Sequence, residues 1–118
     1  MKIRIRSNSL RYRLTRSEVE QFAIEGVFKE KVTIGEESLV YVLQRTAEPD
    51  VRATLHTNLI TLLVPEMVAD EWTRTERVGF DTKDGSLHIL VEKDFTCLDN
   101  VEEDQSDNYP NPLADKRS

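Results

Sequence analysis

Two stretches of this chain spell the same order of elements, and that repetition constrains the fold more than any other feature. In the first, Ile3 and Ile5 alternate with Lys2, Arg4 and Arg6, while Leu10, Tyr12 and Leu14 alternate with Arg11 and Arg13. Period two on either side of "SNS" reads as a hairpin with one apolar and one cationic face. "TRSE" then offers a capping box from Thr15 to Glu18, Val19 and Phe22 follow on one helical side, and Gly26 supplies a stop. "FKEKVTI" and "SLVYVLQR" complete the unit as two strands around "GEE". The run from Leu39 to Leu43 is apolar on both faces, which suits a central strand covered on each side.

From Val51 the order begins again. "VRATL" and "LITLLV" flank "HTN", Pro65 opens a helix "PEMVADEW" at the position where proline is tolerated, and "RVGF" and "SLHILVEK" flank "DTKDG". Thr15 and Pro65 correspond as helix openers, and Phe22 and Trp72 stand at matching places in the two helices as core anchors. Residues 2–45 and 51–93 thus read as tandem strand-strand-helix-strand-strand repeats. A four-stranded unit of about 45 residues is marginal on its own, so the halves are expected to share one core. The expected fold is α+β and mainly β: eight strands as a small barrel or two packed sheets, with two short helices outside. Residues 1–98 form one domain in this reading, and 99–118 form an acidic, flexible tail.

Charge is distributed unevenly. The formal net charge is -6, yet residues 1–16 hold six cations and no acid, while 94–118 hold seven acids against Lys116 and Arg117. Five cations on one hairpin face repel one another unless something negative lies near. Three sources of counter-charge present themselves: Glu and Asp on neighbouring strands, nucleic acid phosphate, and an acidic protein partner or the chain's own tail.

Other chemistry is sparsely represented. The lone Cys97 forms no internal disulfide and stands between Asp94 and Asp99, which disfavours a reactive thiolate; it reads as a small buried hydrophobe. His56 and His88 have no second histidine at zinc spacing. Asp94, Asp99, Glu102, Glu103, Asp104 and Asp107 could gather a hard cation, but the run lacks the EF-hand glycine and terminal glutamate, so it is only a weak metal candidate. No phosphate loop or nucleophile elbow occurs, and no catalytic residue or cofactor is expected. No apolar run approaches the length of a membrane span and the N-terminus lacks the apolar stretch of a secretory signal, so a cytoplasmic protein is expected, without membrane contact. A monomer suffices if the halves close the core, while an open edge strand could recruit a second copy.

The stretch "NLITLLVPEMVADEWTRTERVGFDTKDGSLHILVEKD" resembles the swapped-hairpin domain of the AbrB, MazE and MraZ regulators, and "SLRYRLTRSEVEQF" is a weaker copy. The resemblance covers residues 2–93 and implies a small AbrB-like barrel in which two units interleave their hairpins, here within one chain. It also implies DNA contact by basic residues of the first strands, a role falling to Lys2, Arg4, Arg6, Arg11 and Arg13. The second half departs from that pattern, with Arg52 in a comparable place but Thr54, Thr61 and Leu62 where further charge would be expected. The whole chain is also similar to small uncharacterised bacterial proteins whose acidic tails end in "PNP". Taken together, the expected function is a non-catalytic binding or regulatory module that engages a macromolecule through the basic first hairpin. An AbrB-like DNA-binding regulator is the alternative, and divalent-metal binding by the tail a third.

Overall fold

A computed structural model describes residues 1–95 together with Asp107 and Tyr109. These residues form eight strands and two helices: β1 (Lys2–Arg6), β2 (Ser9–Leu14), α1 (Arg16–Glu25), β3 (Val27–Ile34), β4 (Glu37–Thr46), β5 (Arg52–His56), β6 (Leu59–Pro65), α2 (Glu66–Arg74), β7 (Gly79–Asp84) and β8 (Leu87–Lys93). The fold is α+β and mainly β, as the patterning requires.

Of the two arrangements expected above, a small barrel or two sheets, the strands do not close into the barrel. They make two four-stranded sheets, ordered β1-β2-β8-β7 and β3-β4-β6-β5. Each sheet takes one hairpin from the first half of the chain and one from the second. The joins are parallel, β2 on β8 with Tyr12 opposite Val91, and β4 on β6 with Leu43 opposite Leu62. Advancing every strand number by four converts one sheet order into the other. Because β1, β7, β3 and β5 remain edges, the two sheets stay open.

Local sequence accounts for the element ends. The Thr15 N–H donates to Glu18 Oε1 at 2.8 Å, half of a capping box. Gly26 takes the left-handed conformation, φ 76°, and its N–H returns to the Phe22 carbonyl. Pro65 ends β6 and is the N-cap of α2, one position earlier than expected, with an extended backbone that suits both roles. β7 runs on through "DTKD", because its residues keep pairing with β8 as far as Asp84 opposite Leu87, which confines the turn to Gly85 and Ser86.

The inward faces of both sheets meet α1 and α2 in one core. Tyr12, Leu14, Phe22, Leu43, Leu62, Val64, Trp72, Ile89 and Val91 are among its buried residues. Trp72 is fully buried between Phe22, with ring centroids 6.3 Å apart, and Phe80, edge-on at 5.8 Å. Its indole N–H donates to the Val78 carbonyl at 3.0 Å, so no polar atom of the ring is stranded. β4 is central, as its apolar run suggests, with Leu43 in the core; Val42 points to the other face and lies outside the core cluster, although only 4% exposed.

Gly79 is required by close approach. A Cβ there would stand 2.2 Å from the Val91 carbonyl oxygen. Gly79→Ala is expected to destabilise by about 1–3 kcal/mol or more through forced displacement of β8. Met67→Ser, at a position 85% exposed, should leave stability unchanged. Urea denaturation followed by Trp72 fluorescence checks both.

Candidate binding face on the first hairpin

Residues directly opposite in adjacent strands share a face of the sheet. Across the outer face of the first sheet, the registers therefore line up Lys2, Arg13, Glu92 and Gly79 in one row, and Arg4, Arg11, Leu90 and Asp81 in the next. A third row holds Arg6, Ser9, His88 and Lys83. All five hairpin cations singled out in the sequence, Lys2, Arg4, Arg6, Arg11 and Arg13, thus come together, with like charges directly opposed on β1 and β2.

The counter-charge is local and partial. Glu92 Oε1 accepts from Arg11 Nε at 2.8 Å and from Arg13 Nε at 3.0 Å, so one carboxylate oxygen serves two guanidinium groups of the inner strand. Lys2 Nζ lies 3.4 Å from Asp94 Oδ2. Among the described residues Arg4 and Arg6 enter no ion pair, and both are exposed. Two adjoining depressions follow these side chains. One, of about 330 Å³, is lined by Lys2, Ile3, Arg4, Arg11 and Arg13, and another, of about 180 Å³, by Arg4, Arg6, Ser9 and Arg11. Farther across the sheet His88 Nε2 contacts Asp81 Oδ1.

Glu92 was not singled out as a site residue by sequence reasoning. Its partners lie about 80 positions away, and the only signal that could have found it was the parallel pairing of β2 with β8.

The acidic metal candidates fare differently. Asp99, Glu102, Glu103 and Asp104 lie outside the described residues, as does Cys97. Asp107 is held at the start of α1, where its Oδ2 accepts from the Ser17 hydroxyl at 2.5 Å, its Oδ1 from the Ser17 N–H at 3.3 Å, and its carbonyl from the Arg16 N–H at 3.0 Å. Among the described residues no group of three or more His, Cys, Asp or Glu is placed to hold a metal ion. Tyr109 packs beside it, its N–H donating to the Asp94 carbonyl at 2.9 Å and its ring on Phe95 at 5.7 Å. Arg16 and buried Lys93 each approach that ring to 5.5 Å. Lys93 also donates to the Thr75 carbonyl at 2.8 Å, and burial holds its pKa below the usual lysine value.

No helix among the described residues is long and apolar enough to cross a membrane. What the geometry defines is a two-sheet α+β domain with hairpins exchanged between sheets and one cationic outer face. The chain belongs to a family of unknown function, DUF7009, whose model matches residues 1–113. No curated protein and no solved structure matches it.

Two outcomes follow from this geometry. Glu92→Gln leaves Arg11 and Arg13 uncompensated beside Arg4 and Lys2, and should cost about 1–3 kcal/mol at low ionic strength and less in high salt; urea denaturation at two salt concentrations measures it. The Ser17 hydrogen bonds and the nearby Arg16 lower the Asp107 pKa below its ordinary 3.8. Its contribution to stability is therefore complete above that ordinary value and is lost as pH falls through the depressed one. Melting temperature between about pH 2.5 and 6 should fall at the acid end in the parent chain, and fall less steeply in Asp107→Asn.

Proposed function

We propose that this chain is a non-catalytic, cytoplasmic binding or regulatory module whose β1–β2 face docks an acidic macromolecule. One observation carries the reading: five cations share that face, Glu92 is already divided between Arg11 and Arg13, and Arg4 and Arg6 remain without an ion-pair partner among the described residues. Exposed arginines beside shallow depressions suit carboxylate or phosphate oxygens, which a guanidinium can engage with two parallel hydrogen bonds. A protein partner fits the net charge of -6 better than nucleic acid does, since a DNA reader ordinarily shows a basic footprint overall. The acidic residues 99–118 are a competing counter-ion supplied by the same chain.

A second reading, an AbrB-like DNA-binding regulator built from tandem repeats, is favoured by the strand order. Two hairpin pairs exchanged between sheets are what the AbrB, MazE and MraZ resemblance implies, and here both sets come from one chain. The corresponding outer face of the other sheet weakens it, because β5 and β6 present Arg52, Thr54 and His56 beside Leu59, Thr61 and Leu63. Such a reader would have one basic edge where two are expected.

Retention on immobilised polyglutamate and on duplex DNA tests the reading. At about 50 mM salt the chain should be held by the acidic polypeptide and released toward about 200 mM. Arg4→Ala with Arg6→Ala should reduce retention at least about tenfold, equivalent to about 1.4 kcal/mol. Neutralising Asp99, Glu102, Glu103 and Asp104 to Asn or Gln should increase it while sparing the Asp107 and Tyr109 contacts. Retention by DNA alone would favour the second reading, and absence of retention on both supports would overturn both.

A further inference from the structure

We propose that β1 is an acceptor edge for an extended acidic segment of a partner protein, which adds to the first sheet as a fifth strand. This deepens the function proposed above and rests on it.

β1 pairs with β2 on one side only, and among the described residues no strand lies on its other side. In an antiparallel pair, alternate residues turn their N–H and C=O away from the neighbour, so an edge strand offers backbone hydrogen bonds to any chain that can lie alongside. An acidic polymer without a peptide backbone cannot use them.

The side chains of β1 define what such a chain must carry. Lys2, Arg4 and Arg6 project to the outer face at every second position, about 6.8 Å apart, the repeat of same-face residues in an extended strand. Carboxylates two positions apart on an added strand would meet Arg4 and Arg6 in register, entering the two depressions beside Arg4 and Arg11. On the opposite face of β1 stand Ile3, half-buried, and Ile5, 59% exposed. The intervening residues of the added strand would therefore be apolar and cover Ile5. The recognised pattern is acid, apolar, acid, set by Arg4, Ile5 and Arg6.

Other edges lack this combination. β7 sets Asp81 between Gly79 and Lys83 on its outer face, and β5 sets Thr54 between Arg52 and His56. β3 carries Lys29 and Lys31 outward, two cations against three on β1, with Glu30 between them in sequence and no arginine. A charged edge also discourages strand pairing between copies. That role is met by repulsion of like edges and is compatible with admitting an edge of opposite charge.

The test uses the full chain and labelled peptides, with affinity read by fluorescence anisotropy. The first peptide alternates Asp with Val over seven residues, the second has the same composition with its acids clustered, and the third is the alternating peptide N-methylated at every second residue. The alternating peptide should bind at least about tenfold more tightly than either of the others. Arg4→Glu with Arg6→Glu should lower its affinity at least about tenfold, whereas Lys29→Glu with Lys31→Glu, the same charge change on another edge, should have little effect. Bound peptide should also slow amide hydrogen exchange in β1. Equal binding of all three peptides, still dependent on Arg4 and Arg6, would overturn strand addition while leaving the basic face as a docking site. Binding insensitive to Arg4 and Arg6, or none below about 100 µM, would overturn the proposal; loss of polyglutamate retention as well would remove the basic-face reading with it.

Discussion

Neither half of this chain closes a core alone, so the structure depends on the two parallel contacts that exchange hairpins, β2 with β8 and β4 with β6. A unit of about 45 residues with four strands and one short helix leaves too much of its apolar face in water. Exchanging hairpins turns two such units into a pair of sheets whose inward faces bury Tyr12, Leu43, Leu62 and Val91 around Trp72. The joins are also central in their sheets, and that of β2 with β8 pairs residues as far apart as Tyr12 and Val91, whereas that of β4 with β6 pairs nearer ones, Leu43 with Leu62. Folding then requires long-range contacts before either half gains much, a condition that favours slow, cooperative assembly.

The same exchange makes the outer faces comparable row by row, and they have different chemistry. In the first sheet one row reads Arg4, Arg11, Leu90 and Asp81; its topological counterpart in the second sheet reads Thr54, Thr61, Val42 and Lys29. Another reads Lys2, Arg13, Glu92 and Gly79 against Arg52, Leu63, Gln44 and Val27. One face is charged across its width, while the other is uncharged at its centre with cations toward its edges. A backbone arrangement shared by both halves thus supports two surfaces of different polarity. Only the first concentrates charge.

Much of the architecture was legible because it is written locally. Alternation in "IRIR" and "LRYRL" marks strands and their faces, Glu18 and Gly26 mark the ends of α1, and "DG" marks the last hairpin. The cationic face was legible for the same reason, since period two assigns Arg4, Arg6, Arg11 and Arg13 to one side wherever the hairpin sits. What could not be read locally is what depends on the exchange. Glu92 meets Arg11 and Arg13 only because β8 joins β2 in parallel, and the sheets stay open because four edges remain. Asp107 and Tyr109 were hidden by composition: their neighbourhood reads as an acidic tail, yet one holds Ser17 and the other packs between Arg16 and Lys93.

The position of each cation in the sheet separates its structural from its binding role. Arg11 and Arg13 lie on an inner strand, flanked by β1 and β8, where a carboxylate on the next strand is within reach of both although each side chain keeps part of its surface in water. Glu92 supplies it from the next strand, and hydrogen bonds to both Nε atoms fix the two side chains in place. Arg4 and Arg6 lie on the edge, where solvent screens them and no internal acid is required for the fold. A cation that the fold does not need to neutralise is one that a ligand can neutralise at little structural cost. The inner pair, held by Glu92, then serves as a rigid positive floor that raises the potential at Arg4, and the edge pair provides the groups free to close on an incoming carboxylate.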